Sequence, residues 1–238
     1  MKKNKISKDW IRKQKKDPFF QKSKIEGYRS RSAFKLLEMN KKFNFLNTHQ
    51  AVLDLGCCPG GWSQVLSKTI KHGNILSVDI KSMEKINNVN FLKGDFTDLK
   101  ILEKIAVYFN NTTDAVLSDI AINTTGNKSL DSYRTGVLCL ASMDLAIKIL
   151  SKNGIFLSKL FMGSIFKEIK KKANKHFKKV VIYKPLSSKK ESKEVYIFCK
   201  GILKIWYKMA QGTELKYEKK FLFNKNNNNL YVVGSKRI

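Results

Sequence analysis

The stretch Ala51–Val65, AVLDLGCCPGGWSQV, decides how the rest of the chain is read. Its first five residues are a short apolar run holding one acid, Asp54, the pattern of a strand buried in a parallel sheet. Gly56, Cys57, Cys58, Pro59, Gly60 and Gly61 follow, and a helical pattern starts at about Trp62. Strand, glycine-rich turn and helix together bring backbone N–H groups and a helix N-terminus against a nucleotide-like ligand. Glycine lets such a ligand lie close to the backbone, and Pro59 stiffens the turn. The spacing is not that of a dinucleotide fingerprint, and no Gly-Lys-Ser/Thr is present to hold a triphosphate with magnesium. An ordinary tight turn between a strand and a helix is the competing reading of the same residues.

Downstream, apolar runs and helical periods alternate. Strands are predicted over 75–78, 90–92, 115–117, 155–158, 180–183 and 194–199, and helices over about 62–71, 97–109, 131–150 and 164–176. A further helix spans 30–42 upstream, with Ser30 or Ser32 as its cap, and carries Lys35. Alternation of this kind implies right-handed crossovers and a mostly parallel sheet with helices on both faces. Strand six joins strand seven through the helix-free loop 184–193, so the last strand should run antiparallel. The expected fold is α/β and Rossmann-like, with seven strands.

Ligands in such sheets bind beyond the carboxyl ends of the strands. Asp54, Asp79, Asp119 and Lys159 all lie at or near those ends, and reversal of the last strand returns Glu194 to the same rim. Asp79 is placed to grip ribose hydroxyls, or to cap a turn. Asp95 could accept from an adenine amino group, or cap the helix after Thr97. A lysine ending a buried strand is costly unless paired, which singles out Lys159 as a site residue or one half of a structural ion pair.

Composition bounds the partner. The 238 residues suffice for one sizeable domain, and 42% are hydrophobic. Lys and Arg outnumber Asp and Glu by 47 to 19, a formal charge of +28 that favours a polyanion, nucleic acid first. A general lysine bias, echoed by the Asn-rich run 224–229, is the other explanation. The first thirty residues interleave cations with Trp10, Phe19, Phe20 and Tyr28, as phosphate contact and base stacking would require. The four cysteines show no zinc-ligand spacing, and free thiols imply a reducing, intracellular setting. No apolar run could span a membrane, so the chain should be soluble, in the cytoplasm or, in a eukaryote, an organelle. Neither a catalytic Ser/His/Asp set nor a two-metal acid cluster is apparent. The chain divides into a basic segment 1–29, a catalytic domain 30–201, and a tail 202–238 expected to be irregular, with 224–229 mobile.

RSRSAFKL, DLGCCPGGWSQ, SVDI, GDFTD, SDIAINTTG, SKLFMG and SKKESKEVYIF, in this order, resemble the FtsJ family of ribosomal RNA 2′-O-methyltransferases over about residues 17–201. The resemblance implies S-adenosylmethionine as cofactor and a Lys-Asp-Lys-Glu tetrad at Lys35, Asp119, Lys159 and Glu194. It also implies cofactor contacts from Gly60, Trp62, Asp79, Asp95 and Asp119, with Asp54, Gly56, Pro59 and Gly61 completing the turn. In that chemistry a ribose 2′-oxygen attacks the sulfonium methyl group in line, and the neutral thioether leaves. Lys159 either accepts the hydroxyl proton or stays charged and steers the oxygen lone pair, while Glu194 positions Lys35 or the ribose. The opening DPFFQKSKIEGYRSR resembles the branch acting on a uridine in the A-loop of large-subunit rRNA, with the tRNA anticodon-loop branch as near competitor. The implied partner is rRNA in large-subunit particles, met by a monomer without metal. One departure is Ala121-Ile122 where the family has Ala-Pro, which loosens that loop; a second is Cys57-Cys58 in place of small residues. A non-catalytic RNA binder on the same fold is the rival from another class.

Overall fold

The computed structural model describes residues 16–120, 122, 125–189, 191–203, 221–224 and 229–232. Nine strands and six helices lie among them. The helices are α1 (Pro18–Ile25), α2 (Ala33–Phe43), α3 (Gly61–Thr69), α4 (Leu99–Tyr108), α5 (Lys128–Ile149) and α6 (Phe166–His176). The strands are β1 (Val52–Leu55), β2 (Ile75–Asp79), β3 (Asn90–Lys93), β4 (Thr113–Ser118), β5 (Leu150–Phe161), β6 (Phe177–Tyr183), β7 (Glu194–Ile202), β8 (Phe221–Asn224) and β9 (Asn229–Val232).

Seven strands form one sheet in the order β3-β2-β1-β4-β5-β7-β6. The first five are parallel, and β7 is antiparallel to both β5 and β6. The parallel strands are almost uniformly apolar at the centre, because helices cover both faces. On one face Leu53, Leu55, Val116, Phe156 and Ile197 pack under α4, α5 and α6. On the other Val52, Leu117, Leu157, Tyr196 and Phe198 pack under α2 and α3. No helix among the described residues is long and apolar enough to cross a membrane.

Three expectations are corrected. Segment 18–25, within the basic segment 1–29 where no helix was predicted, is the helix α1. Its local code is Asp17, whose side chain accepts from Phe19 N and Phe20 N, with Pro18 at the first helical position. The strand predicted over 155–158 begins already at Leu150, directly after α5 ends at Ile149, so Asn153-Gly154 falls inside β5. The tail, expected to be irregular, holds the hairpin β8–β9. Of the run 224–229 that was expected to be mobile, Asn224 and Asn229 pair in that hairpin, and 225–228 lie outside the described residues. Ser32 occupies the cap position of α2 but makes no side-chain cap bond; its hydroxyl meets that of Ser30 at 2.7 Å.

Candidate active site

A cavity of about 620 Å³ opens where β1, β2 and β4 end, a size typical of a small-molecule site. Its polar wall includes Asp79, Asp95 and Asp119, and its apolar wall includes Ile80, Phe96, Ile120 and Leu138. Asp79 is fixed by two backbone donors: Cys58 N reaches its Oδ2 at 2.9 Å and Lys81 N its Oδ1 at 2.8 Å. Gly56 forms the tightest point of the floor. Its φ is +73°, and a Cβ there would lie 2.6 Å from Ile120 Cγ1, so only glycine lets the β1 and β4 turns pass each other.

Asp119 belongs both to this cavity and to a cluster of buried charges beside it. Its Oδ1 meets Lys159 Nζ at 3.1 Å and accepts from Tyr196 Oη at 2.8 Å. Lys159 Nζ also donates to the Asp119 carbonyl at 3.0 Å. Burial opposes ionisation of Asp119, but Lys159, then Lys35 and the Tyr196 hydroxyl, outweigh it and hold the carboxyl below its usual range. The second ion pair is Lys35 Nζ to Glu194 Oε1 at 2.6 Å, and the same oxygen accepts from Ser188 Oγ at 2.8 Å. All four charged side chains are at most 13% exposed. Lys35 Nζ lies 5.8 Å from the Tyr196 ring centroid, so Tyr196 joins the two pairs. The predicted tetrad is therefore one constellation of two cations and two anions, which balances its own charge in a poorly solvated place.

The predicted cofactor residues divide. Gly56, Asp79, Asp95 and Asp119 line the cavity. Asp54, Pro59, Gly60, Gly61 and Trp62 are not among its lining residues. Asp54 is fully buried against α3, where its Oδ2 accepts from Ser63 Oγ at 2.7 Å and its Oδ1 has no hydrogen-bond partner. The turn glycines make room for the segment leading into α2. A Cβ on Gly61 would collide with Ser30 Oγ, and one on Gly60 would touch Arg29. Trp62 is 2% exposed; its Nε1 donates to Ser32 O at 2.9 Å and its ring packs on Tyr196 at 5.9 Å. These residues thus set where α2, and with it Lys35, stands relative to the rim.

Sequence reasoning missed Tyr196. Its position, two residues after Glu194, follows from the antiparallel register that pairs it with Lys159, which no local sequence pattern marks. Ala121 and Asn123, beside the departure from the family's Ala-Pro, lie outside the described residues, whereas Ile122 lines the cavity. Spacing along the chain offered no metal set, yet the structure brings the potential ligand atoms of Cys57, Cys58 and Asp79 within 4.8 Å of one another. Burial pushes both thiols above their usual range. All four cysteines are free.

A seven-stranded sheet with a reversed penultimate position, a nucleoside-sized cavity at its rim and a Lys/Asp/Lys/Glu cluster beside it define a Rossmann-like methyltransferase. The chain belongs to the FtsJ-like methyltransferases, whose family profile matches residues 28–202. It is 50% identical over 200 residues to a Pelagibacter ubique protein named ribosomal RNA large subunit methyltransferase E, covering 84% of this chain and 98% of that one. A Rickettsia akari protein of the same name is 42% identical over 195 residues, covering 79% and 86%. A Plasmodium falciparum crystal structure described as a ribosomal RNA methyltransferase superposes with a TM-score of 0.65 at 30% identity, covering 74% of this chain and 99% of that one.

The methyl donor of this class is S-adenosylmethionine, and the cavity residues fit it. Asp79 and Asp95 are carboxylates suited to ribose hydroxyls and an exocyclic amine, apolar side chains stand where a purine needs flat walls, and Gly56 clears the floor.

Proposed function

We propose that this enzyme methylates the 2′-oxygen of a ribose in large-subunit ribosomal RNA, a uridine of the A-loop being the nucleotide. The observation that carries the reading is Asp119, one carboxylate shared by the cofactor cavity and the Lys159 ammonium. It supports a reading in which Lys159 handles the proton beside the cavity that would hold the methyl donor. The names and identities of the relatives support rRNA as substrate, and the charge of +28 supports a polyanionic partner.

When bound, S-adenosylmethionine supplies an electrophilic methyl group on a sulfonium sulfur. The chain's residues then orient a nucleophile and take its proton. Lys159 Nζ already donates to two acceptors, Asp119 O and Oδ1. To act as the base, the Lys159 ammonium first releases one proton to solvent; the neutral amine then keeps two N–H groups for those acceptors and one lone pair for the 2′-hydroxyl proton. With the donor bound, formation of the oxygen–carbon bond would break the carbon–sulfur bond and release the neutral thioether, the hydroxyl proton would pass to Lys159, and Asp119 would stabilise the resulting ammonium. Glu194 holds Lys35 in the cluster, and Lys35 presents its remaining N–H groups to the ribose and its phosphate. Asp79, Asp95 and Gly56 bind the donor, while Asp54, Pro59, Gly60, Gly61 and Trp62 support the turn and the α2 approach. Segment 1–29 and loop 184–193 contact RNA.

The test is transfer of labelled methyl groups to large-subunit particles, naked rRNA and tRNA, with Lys159→Met as control because it keeps the aliphatic stem. Label on a uridine 2′-oxygen of rRNA that disappears in Lys159→Met is the expected result. Label on tRNA alone overturns the substrate. Absence of label together with absence of cofactor binding replaces the enzyme with a non-catalytic RNA binder.

A further inference from the structure

Glu38 lies one helical turn beyond Lys35 on α2, and its carboxylate is saturated by a single loop. Its Oε1 accepts from Tyr183 Oη and from Leu186 N, each at 2.7 Å. Its Oε2 accepts from Ser187 N and Ser187 Oγ, each at 3.0 Å. Against the opposing pull of burial, the bonds from Tyr183, Leu186 and Ser187 hold Glu38 below the usual carboxylate range, so it stays an acceptor. Arg31, just before α2, adds a bond to the Ser187 carbonyl while paired with Asp17. The residue after Ser187 is Ser188, whose hydroxyl donates to Glu194 Oε1, the oxygen that also holds Lys35. One helix therefore grips the 183–194 connection at two points: Lys35 at Glu194, and Glu38 at the turn that aims Ser188.

We propose, resting on the reading of Lys35 and Glu194 above, that Glu38 is a positioning residue for methyl transfer. Through Leu186 and Ser187 it sets the turn so that Ser188 fixes Glu194, and Glu194 fixes Lys35. A loop rich in Lys and Ser, whose Leu186 side chain is 87% exposed, has little apolar burial of its own to hold this shape. Four hydrogen bonds to one charged acceptor supply it instead. The arrangement also explains how a loop that leaves Lys184, Leu186 and Lys189 in solvent can bury Ser187 and Ser188 and be accurately placed at the rim.

Glu38→Gln tests the idea, since an amide nitrogen would face donors that need an acceptor. In the full-length protein, hydrogen exchange at Leu186 and Ser187 is expected to accelerate. At saturating RNA and cofactor, single-turnover methylation is expected to fall roughly tenfold, from loss of charge-assisted bonds. Cofactor affinity should stay within about twofold, because Glu38 is not among the residues lining the cavity, and a folded core with a displaced Lys35 predicts that split. Ser188→Ala should lower the rate as well, and the double variant should be no slower than the slower single, because both act through Glu194. Unchanged exchange at 186 and 187 overturns the proposal whatever the activity, as does a Glu38→Gln rate within twofold of wild type. Multiplying effects in the double variant also overturn it. If exchange accelerates but the wild-type protein methylates no RNA, the grip of Glu38 on the loop stands and the functional reading above is what fails.

Discussion

Tyr196 and Lys159 stand opposite each other across β5 and β7 and close on the same oxygen, Oδ1 of Asp119, at 2.8 and 3.1 Å. Burial, then the adjacent Asp119 and Glu194, push the phenol well above its ordinary range, so it is a donor at neutral pH. A buried carboxylate with two donors on one atom has its orientation fixed, and with it the direction of the Lys159 amine. Tyr196→Phe keeps the ring on Trp62 and removes one donor. A stability loss of about 1.5–3 kcal/mol is expected from a bond to a charged acceptor, read from the urea midpoint. The single-turnover rate should fall by roughly an order of magnitude if Asp119 must be aimed. A variant of unchanged rate would show that Lys159 alone orients the site.

Removal of Lys159 has a structural cost as well as a chemical one. It leaves Asp119 buried with Tyr196 as its remaining close donor, and breaking such a pair costs about 3–5 kcal/mol. Lys159→Met should therefore be both inactive and less stable, whereas Lys159→Met with Asp119→Asn should regain much of the stability and none of the activity. Thermal midpoints and methylation rates on the same preparations separate the two effects. Recovery of activity in the double variant would remove Lys159 from the chemistry.

Asp54 gives a pH signature of the opposite sense from the paired acids. Desolvation pushes it up to about 7, although Ser63 pulls the other way. The unfolded chain releases that proton near the ordinary value of about 4, so between about pH 4 and 7 the folded state binds more protons. Its contribution to stability is thus greatest in acid and falls as pH rises through that window. Asp54→Asn keeps an oxygen for Ser63 and cannot ionise. The difference in unfolding free energy between wild type and Asp54→Asn is expected to drift in favour of the variant from pH 4 to 7 and to level off above it, followed by urea titration at each pH. A flat difference would mean that Asp54 is ionised in the fold.

Much of this site was legible because strand ends are legible. Asp79, Asp119 and Lys159 each close an apolar run, and a parallel sheet gathers such ends on one rim. Reversal of Glu194 followed from a connection without a helix. Tyr196 escaped because nothing in its residue type marks it; its role comes from register, which local patterning does not encode. Gly60, Gly61 and Trp62 were read from the same turn as Gly56, yet their contacts are with Arg29, Ser30 and Ser32, partners thirty residues away that only the packed structure brings there. Helix α1 was written in Asp17-Pro18 and hidden by its weak apolar period, and β8–β9 was hidden by the asparagines between its strands.

Gly56→Ala should damage the cofactor cavity without touching a charge. The new methyl would meet the Ile120 side chain and backbone at 2.6 and 2.7 Å, and φ is +73°. Strain of this kind costs about 1–3 kcal/mol, and relief requires Asp119 and Ile120 to move. Cofactor affinity measured by calorimetry is expected to fall at least roughly tenfold for a loss of about 1.4 kcal/mol. Affinity within twofold of wild type would show that the two turns can slide apart freely.

Lys189 and Lys193 are exposed on the loop that ends at Glu194, where an RNA strand entering the rim would pass. Each phosphate contact to a single strand releases counterions worth about 0.7 in the slope of log affinity against log salt. Lys189→Gln and Lys193→Gln should each weaken RNA binding at low salt and reduce that slope by about 0.7, with cofactor affinity unchanged, because neither residue lines the cavity. Weaker binding with an unchanged slope would assign the effect to a displaced loop instead of a lost phosphate contact. The grip of Glu38 on Leu186 and Ser187 would then be the contact to re-examine, since it sets where that loop stands.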